Sequence, residues 1–348
     1  MTVLEQEYNY TPLAKPLRIT EQHWPEGTMP LVSIICITYN HVNFIRDAIE
    51  GFLMQETTFP VEIHIHDDAS TDGTAEIVRD YEAIYPNLIK AICQTENQYS
   101  KGNKSGQFLR PLLRGKYIAS CEGDDYWTDK AKLQLQVDYL ELHPGCVISG
   151  HDAIVIDATG KVLRRSVVRT KGRDYTADEL KQGEAILPTA SRLVRNIHRS
   201  STFRYRSCFQ GGDRFTLVTL GDHGGAHFHD DISPSVYRKH QGGVWSGMDR
   251  LNQHLTGANT SYFLYLYFRE RGDLQTAEHW QKKWGDQAAK SIPITILLKE
   301  VVSRILFTGY YRDWIVLVIG RVQIERIHQM RKKVLEFFQR APLKGKAD

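Results

Sequence analysis

The sequence predicts an α/β fold with a mostly parallel sheet flanked by helices, followed by a helical appendage. In the first 150 residues, short apolar runs rich in β-branched residues alternate with segments that have helical apolar spacing. This alternation is typical of βαβ units. Polar residues follow three of the apolar runs directly, and helical patterns dominate beyond Gly247. These observations together indicate an open sheet with a site at one edge.

The individual elements follow from local patterns. The run Leu31–Asn40 is continuously apolar until its polar end, as in a strand buried on both faces. The next segment spaces Phe44, Ala48 and Phe52 for one face of a helix. Further predicted strands are VEIHIHD, IKAICQ and KYIAS, and further helices are AEIVRDYEAIY, KLQLQVDYLELH and SGQFLRPLLRG, the last interrupted by a proline. After Gly150 the pattern loosens, with CVISGHDAIVID still strand-like.

The composition limits the class of protein. The 348 residues are 41% apolar and 24% charged, as in an ordinary soluble globular protein. The five scattered cysteines form no CxxC pair, which argues for a reducing compartment and against a disulfide scaffold or a structural zinc site. The first thirty residues are polar and lack the apolar stretch of a signal peptide. We expect them to wrap the domain or to be partly disordered.

The charge is uneven along the chain. Residues Lys290–Asp348 contain 12 lysines and arginines against 5 aspartates and glutamates, a net +7 in a chain whose total is +3. This tail is also apolar, but Arg304, Arg312 and Arg321 interrupt every stretch long enough to span a membrane. Two alternatives remain open: interfacial binding to an anionic inner leaflet, or packing in a helical pair or an oligomer interface.

Three polar clusters fall at predicted strand ends: Thr38–Asn40, Asp67–Thr74 and Glu122–Asp125. Because ligands of open α/β sheets bind at the carboxyl ends of the strands, we expect these clusters to form one site. Clustered carboxylates suit Mg²⁺ or Mn²⁺, and these ions commonly bring phosphates with them. Asp68, Ser70 and Asp72 then contact a nucleotide. The alternative is that Asp124, Asp125 or Thr128 caps the following helix.

The segments VSIICITYN, DDASTDGT and GKYIASCEGDDYW, in this order and spacing, resemble the family 2 glycosyltransferases of GT-A (Rossmann-like) fold. The resemblance is strong from Leu31 to about Gly150 and weaker through FQGGDRFTLV and YRKHQGGVWSG. It implies an inverting transferase that uses a sugar nucleotide, most often UDP-linked, with Mn²⁺ or Mg²⁺. The predicted regions are an N-terminal extension (1–29), a nucleotide-sugar half (30–150), an acceptor-side half (151–247) and a helical, basic C-terminal region (248–348).

The resemblance also implies roles for individual residues. Thr38–Asn40 match the segment that lies along the nucleotide, Asp68 matches the acid that reads the base, and Glu122-Gly123-Asp124 match the DxD motif. Asp124 stands in the place of the metal ligand, whereas the first acid of the motif is here a glutamate. Some residues are expected at the donor from the resemblance and others from their chemistry. Together the expected donor-binding residues are Thr38, Tyr39, Asn40, Asp68, Ser70, Glu122, Gly123, Asp124 and Trp245.

Asp213 stands where the family carries its catalytic base, although the usual preceding glutamate is here Gly212. A single carboxylate can take the proton of an attacking hydroxyl when its position is right. The alternative is that Asp213 is the N-cap of the helix RFTLVTLG, and both roles can hold together.

Histidines occur in two contexts. The spacing of His223, His227 and His229 fits no common zinc motif, and AHFHDD suggests an edge strand with histidines on one face. His240 precedes a Gly-Gly loop, where it either completes a metal shell or is a solvated loop residue. Trp245 either packs near the sugar or anchors the loop.

The sequence therefore predicts a cytoplasmic, metal-dependent glycosyltransferase, peripheral on the membrane if the tail binds lipid. Its acceptor is a hydroxyl of a saccharide or of a polyprenol-linked glycan; no nucleic acid is expected, and the C-terminal helices offer a homo-oligomer interface. Two alternatives remain: an inactive sugar-nucleotide-binding module of the same fold, and a nucleotidyltransferase. The latter expects a glycine-rich basic loop after the first strand, which ITYNHVNF lacks.

Overall fold

The computed structural model describes residues 8–168, 172–197 and 212–291, and the elements below lie in these ranges. The strands are β1 (Leu17–Arg18), β2 (Val32–Thr38), β3 (Glu56–Thr57), β4 (Val61–Asp67), β5 (Ile89–Cys93), β6 (Tyr117–Glu122), β7 (Cys146–Gly150), β8 (Ala153–Asp157), β9 (Val162–Arg164), β10 (Leu193–Arg195), β11 (Gly225–Phe228) and β12 (Ser235–Lys239). The α-helices are α1 (Ile45–Leu53), α2 (Thr74–Ile84), α3 (Gly106–Leu109), α4 (Lys132–Leu142), α5 (Ala177–Lys181), α6 (Gly212–Leu220), α7 (Arg250–Glu270) and α8 (Leu274–Ser291).

A seven-stranded sheet in the order β11-β7-β10-β6-β2-β4-β5 forms the centre of the fold. Strand β2 runs parallel to β4 and β6, β4 runs parallel to β5, and β11 runs parallel to β7. Strand β10 is antiparallel to both of its neighbours, β6 and β7. The predicted α/β fold with a mostly parallel sheet and flanking helices is confirmed.

The core explains why the first strands read as continuous apolar runs. Ile34 and Ile63, in the centre of β2 and β4, are fully buried, as expected for strands covered on both faces. Helix α1 contributes Phe52, whose ring lies 4.9 Å from that of buried Trp127 in an edge-to-face contact. Trp127 directly follows the acidic loop after β6, so this packing fixes the loop against the core.

The register of the sheet brings the three polar clusters together. Thr38 at the end of β2 pairs with Asp67 of β4, and Ile37 pairs with Glu122 of β6. The expectation that these clusters share one sheet edge is confirmed. Asn40 and Ala69, which follow β2 and β4, both have positive φ angles (54° and 62°), so each chain turns sharply as it leaves the sheet.

A second, three-stranded sheet in the order β12-β8-β9 lies beside this edge. Strand β12 pairs in parallel with β8, and its Val236 also forms a bridge with Tyr126 of the acidic loop. This bridge carries the residues that follow β12 towards the carboxyl ends of β2 and β6.

The described part of the N-terminal extension lies against the domain. Strand β1 pairs with β3, the amide of Leu13 donates to the carbonyl of Thr58 at 2.9 Å, and Ile19 is buried. We expected this segment either to wrap the domain or to be partly disordered, and from residue 8 onward it wraps the domain.

The chain divides into two compact units, of which the first contains the sheets and extends to Gly247. The described part of the second unit is the helical pair α7 and α8. Phe268 and Trp280 are fully buried, and the hydroxyl of Ser261 donates to Oε1 of Gln287 at 2.8 Å. No helix within the described ranges is both long and apolar enough to cross a membrane. The predicted basic tail lies almost entirely outside the described residues.

Candidate active site

Two histidines and one aspartate meet at the carboxyl edge of the sheet. His41 follows β2, Asp124 follows β6 and His240 follows β12. Nε2 of His240 lies 2.9 Å from Oδ2 of Asp124, and Nε2 of His41 lies 3.9 Å from the same oxygen. The ligand atoms of all three lie within 4.8 Å of one another. The sequence predicted Asp124 and His240 as metal-site residues, and the structure brings them together.

The electrostatics of this group suit a cation site. Burial opposes ionisation of Asp124, but the hydrogen bond from His240 and the proximity of His41 hold the pKa of Asp124 below its ordinary value. Burial in turn lowers the pKa of His41, against the influence of Asp124, which favours an imidazole with a free lone pair at neutral pH. Oδ1 of Asp124 is buried and has no hydrogen-bond partner among the described residues.

Gly123 is required by the close approach of two strands. A Cβ atom there would lie 2.7 Å from Cβ and from Oγ1 of Thr38, and 3.1 Å from Nδ1 of His41. Any larger residue would therefore push the Thr38 segment away from Asp124. This contact gives a packing reason for the glycine between the two acids of the DxD-like motif.

Arg238 holds the acidic loop in place. Its amide donates to Oδ1 of Asp125 at 2.9 Å, its Nε donates to the carbonyl of Asp124 at 3.0 Å, and its Nη2 donates to Oδ2 of Asp47 at 2.7 Å. The guanidinium also lies over the ring of Phe44, 4.5 Å from the ring centroid. Strand β12, the loop after β6 and helix α1 are thus tied together by one buried arginine.

The same geometry corrects the helix-capping alternative. Helix α4 begins at Lys132, and its N-cap residue is Ala131, whose side chain cannot accept a hydrogen bond from a helix amide; the Ala131 amide itself donates to Oδ1 of Asp129 at 2.9 Å. Asp125 is instead buried against Arg238, where desolvation and the neighbouring acids raise its pKa well above the ordinary value. Asp124 and Thr128 do not cap α4 either; Thr128 donates to the carbonyl of Pro234 at 2.7 Å.

Glu122 and Asp213 mark a second part of the site. Glu122 is exposed at the end of β6, and nearby protein atoms partly desolvate its carboxyl; this desolvation, with the charges of Asp124 and Asp213, raises its pKa to about 7. Asp213 is exposed in the first turn of α6, and its carbonyl accepts a bond from Nη1 of Arg192 at 3.3 Å. Since α6 as described begins at Gly212, Asp213 is not the N-cap, which corrects that alternative.

Tyr237 completes this part of the site. Burial raises the pKa of its phenol to about 12, and Asp125, Glu122, Asp124 and Asp213 add to the increase in that order. The phenol therefore lies within electrostatic range of four carboxyls that come from two separate segments of the chain. Sequence reasoning missed Tyr237 because it reads as an ordinary alternating position of a β-strand.

The predicted nucleotide segment is organised by hydrogen bonds between two loops. The amide of Asn40 donates to the hydroxyl of Ser70 at 2.8 Å, and the amide of Thr71 donates to Oδ1 of Asn40 at 2.9 Å. Tyr39 is exposed, whereas the Thr38 hydroxyl is buried and has no partner among the described residues. The predicted donor residues Thr38, Tyr39, Asn40 and Ser70 therefore lie side by side.

Asp68 has a structural role that the sequence did not indicate. Its two carboxylate oxygens accept the amides of Gln98 and Tyr99, at 2.8 and 2.9 Å, and so anchor the loop after β5. Each oxygen keeps a further lone pair, so contact with a nucleotide base stays a prediction.

The loop after β12 carries Trp245, the last predicted donor residue. The amide of Gly243 donates to the carbonyl of His240 at 3.2 Å, and the Ser246 hydroxyl donates to the same carbonyl at 3.0 Å. Trp245 is 52% exposed on this turn.

The histidine-rich loop lies on a different face, at the sheet edge formed by β11, as expected for AHFHDD. The ring of His227 stacks on that of Tyr139 at 3.5 Å, and Nδ1 of His229 lies 2.9 Å from Oδ1 of Asp231. Nδ1 of His227 lies 2.8 Å from Oδ1 of Asp174, without the alignment of a hydrogen bond. In the described part of the chain, both groups that gather potential metal ligands contain Asp124, and neither contains these histidines.

Comparison with known proteins shows which family the chain resembles. The family model for glycosyl transferase family 2 matches residues 33–201. An uncharacterized protein of Mycobacterium tuberculosis is 35% identical over 222 residues, which are 62% of this chain and 60% of that protein. The chain thus spans about 60% of the length of these mycobacterial relatives.

One named glycosyltransferase and one solved structure are also similar. The Escherichia coli UDP-Glc:alpha-D-GlcNAc-diphosphoundecaprenol beta-1,3-glucosyltransferase WfaP is 37% identical over 117 residues, which are 32% of this chain and 42% of that protein. The crystal structure of Staphylococcus aureus TarS 1–349 in complex with UDP superposes with a TM-score of 0.51 at 14% identity, covering 86% of this chain and 77% of that one. The fold is therefore GT-A, and residues 33–201 of the chain match glycosyl transferase family 2.

Proposed function

We propose that the protein is an inverting glycosyltransferase. Its donor is a nucleotide diphosphate sugar, a UDP-sugar, and its acceptor is a hydroxyl of a saccharide or of a lipid-linked glycan. The observation that carries the proposal is the meeting of His240 and Asp124 at the sheet edge, with Glu122 and Asp213 beside them. These residues come from three distant segments, and helix capping accounts for none of the contacts of the acidic loop. The match of residues 33–201 to the glycosyl transferase family 2 model supports the reaction class.

Asp124 and His240 are the residues that would hold Mn²⁺ or Mg²⁺. The fit rests on Oδ1 of Asp124, which is buried and has no partner among the described residues, and on the shared contact at Oδ2. When bound, the ion neutralises negative charge that develops on the departing diphosphate. The protein itself keeps Asp124 ionised through His240 and fixes the loop through Arg238.

Asp213 is the proposed general base. It is exposed in the first turn of α6, where the helix dipole favours a carboxylate, and it lies in electrostatic range of Glu122. The acceptor hydroxyl gives its proton to Asp213 as its oxygen attacks the anomeric carbon, and the bond to the diphosphate breaks on the opposite side. The raised pKa of Glu122 keeps that carboxyl partly protonated near neutral pH, which limits charge repulsion at the site.

The donor and acceptor classes rest on weaker support. The name of the E. coli relative describes glucose transfer from UDP to a diphosphoundecaprenol-linked sugar, and its similarity covers 32% of this chain. This relative favours a UDP-linked donor and a polyprenol-linked acceptor. Such an acceptor fits a cytoplasmic protein attached to the inner leaflet, a location that the basic tail also favours. A homo-oligomer through the C-terminal helices is the alternative use of that tail.

The test is a panel of nucleotide sugars with Mn²⁺, measured by melting temperature and by release of the nucleotide diphosphate. A ligand at a hundred times its dissociation constant adds about 2.7 kcal/mol to the free energy of unfolding. We expect a UDP-sugar to stabilise the wild type and to be turned over when an acceptor is present. Asp124→Asn should lose the Mn²⁺-dependent stabilisation, whereas the exposed Asp80→Asn should keep it.

The outcomes separate the rival functions. Stabilisation by a nucleotide sugar without turnover on any acceptor indicates an inactive binding module. Formation of a nucleotide sugar from a sugar phosphate indicates a nucleotidyltransferase. Equal stabilisation of the wild type and Asp124→Asn excludes the proposed metal site.

A further inference from the structure

His41 is held rigidly next to the carboxylate of Asp124. Its amide donates to the hydroxyl of Thr74 at 2.9 Å, and its carbonyl accepts the amide of Ile45 at 2.8 Å, at the start of α1. The adjacent amide of Val42 donates to Oδ2 of Asp72 at 3.0 Å. The DGT segment of the second polar cluster therefore fixes the backbone from which the His41 ring projects.

Two imidazoles converge on one carboxylate oxygen. Nε2 of His240 is at 2.9 Å and Nε2 of His41 at 3.9 Å from Oδ2 of Asp124, and the two rings stand nearly perpendicular, at 83°. The three side chains are only 9–12% exposed. Nδ1 of His41 and Oδ1 of Asp124 are buried and have no partner in the described ranges. A single hydrogen bond between His240 and Asp124 leaves His41 unexplained, whereas a cation between the three groups engages all of them.

We propose that His41 is a third protein ligand of the metal ion, and that this site selects Mn²⁺ or a later transition metal over Mg²⁺. The inference rests on the proposed function only in that both require a cation at Asp124. Imidazole nitrogen suits transition metals, whereas Mg²⁺ prefers an oxygen shell with several waters. A site of two imidazoles and one carboxylate is therefore poorly matched to Mg²⁺.

The competing arrangement is an all-oxygen site. Glu122, Asp124 and Asp125 also bring their oxygens within 4.8 Å of one another. Two contacts argue against it: Oδ1 of Asp125 already accepts the amide of Arg238, and Oδ2 of Asp124 faces the histidines. An all-oxygen site would bind Mg²⁺ as readily as Mn²⁺ and would show no nitrogen ligand, so the two arrangements differ in a measurable property.

The experiment measures metal binding by the full chain without donor or acceptor. Mn²⁺ is titrated and its free fraction followed by electron paramagnetic resonance; Mg²⁺ is then added as competitor. Electron spin echo envelope modulation reports ¹⁴N nuclei bound to Mn²⁺.

We expect two coupled imidazoles in the wild type and one in His41→Asn, with Mn²⁺ affinity on the order of 10–100-fold weaker in the variant and little change for Mg²⁺. His41→Gln, which keeps an oxygen donor at the side-chain end, should also show one imidazole. The exposed His23→Asn is the matched control and should behave as wild type.

Several results would overturn the inference: a wild type with one or no coupled nitrogen, equal affinity for Mn²⁺ and Mg²⁺, or two coupled imidazoles in a folded His41→Gln. Circular dichroism and melting temperature establish the folding of each variant, and the spectrum of the wild type decides the ligand number even if both His41 variants fail to fold. A protein that binds Mn²⁺ through two nitrogens but turns over no sugar nucleotide would refute the proposed function and leave this inference standing.

Discussion

Neighbouring acids at the site differ because their surroundings differ. Asp124 and Glu122 are two residues apart, yet the pKa of Asp124 is lowered by His240 and that of Glu122 is raised to about 7 by desolvation and by Asp124 and Asp213. One carboxyl is thereby kept ionised for a cation, while the other carries a proton for part of the time at neutral pH. Environments that separate the pKa values of adjacent acids are a recurring feature of active sites.

Replacing Asp213 by asparagine should separate catalysis from stability. The change removes the proposed base, so turnover should fall by about 10²–10⁴-fold, the usual contribution of general base catalysis. Loss of a first-turn carboxylate should cost about 0.3–1 kcal/mol of stability, and donor affinity should hardly change. The measurements are steady-state turnover, donor titration and melting temperature on the same variant.

The exposed Asp178→Asn, in the first turn of α5, is the matched control. If Asp213→Asn transfers sugar at nearly the wild-type rate, Asp213 is only a helix-stabilising residue. The base would then have to be sought at Asp222, Asp230 or Asp231.

How well each part of the site can be predicted depends on how far apart in the sequence the contacting residues lie. The strand ends after β2, β4 and β6 are visible in the sequence because apolar runs give way to polar residues. Asp124 and His240 are 116 residues apart, and the sequence suggested a metal role for each of them separately without indicating their direct contact. His41, Arg238 and Tyr237 carry no local signal, because their roles arise from the packing of β12 against the acidic loop.

Helix α4 shows how an element can depart from its sequence pattern. Its first residue, Lys132, reads as an exposed start of an amphipathic helix but is fully buried. The Lys132 ammonium lies 4.3 Å from the ring centroid of Trp127 and donates to Oε1 of Gln136 at 2.6 Å. Burial lowers its pKa to about 7, against the influence of Cys121 and Asp129. No periodicity argument identifies such a residue, because a lysine at a helix start is ordinarily solvated.

The short strand β10 was missed for a similar reason. Its three residues, Leu193–Arg195, lie in the segment ILPTASRLVRN, which has no alternation long enough to predict a strand. Leu193 is placed by its two neighbours, pairing with Ala119 of β6 and Ser149 of β7. The central antiparallel strand of the sheet is therefore a product of tertiary pairing.

Lys132→Met should stabilise the protein at neutral pH. Between pH 7 and 10.5 the unfolded chain holds the Lys132 proton and the folded chain does not, so the free energy of unfolding rises with pH through this window. Below pH 7 the lysine is charged in both states, and the buried charge lowers the free energy of unfolding by its full amount. Methionine removes this cost, and we expect a gain on the order of 1–4 kcal/mol near pH 7, with a flatter dependence up to pH 9. Denaturant unfolding at several pH values checks it.

Lys130→Met is the matched control, since Lys130 is exposed and its replacement should change stability by less than about 0.5 kcal/mol. His151 and His229, which interact with Lys132, have lowered pKa values and so titrate below this window. A Lys132→Met variant that is less stable than wild type at pH 7 would show that the hydrogen bond and ring contact outweigh the buried charge.

Considered as a whole, the molecule combines an acidic site with a basic end. The sheet edge of the first unit gathers four carboxyls, Glu122, Asp124, Asp125 and Asp213, around Tyr237. Residues Lys290–Asp348 carry a net +7, and almost all of them lie outside the described structure. A polyprenol-linked acceptor resides in a membrane, so attachment of the basic end to anionic lipid would bring the acidic site and this acceptor to the same surface.

The final prediction concerns this attachment. Neutralising Arg331, Lys332 and Lys333 to glutamine in the full chain should weaken binding to phosphatidylserine vesicles, because each basic residue near an anionic surface contributes about 1 kcal/mol. Three such residues correspond to a loss on the order of 10²-fold in the partition coefficient, and added salt should reduce binding of the wild type in the same way.

The control neutralises the exposed lysines Lys90, Lys101 and Lys130 of the first unit, which changes the net charge equally. Vesicle sedimentation with sedimentation-velocity analysis of the free protein decides between the two uses of the tail. If the wild type does not bind vesicles at low salt but the tail variant loses a dimer, the tail is an oligomer interface and the membrane hypothesis is wrong.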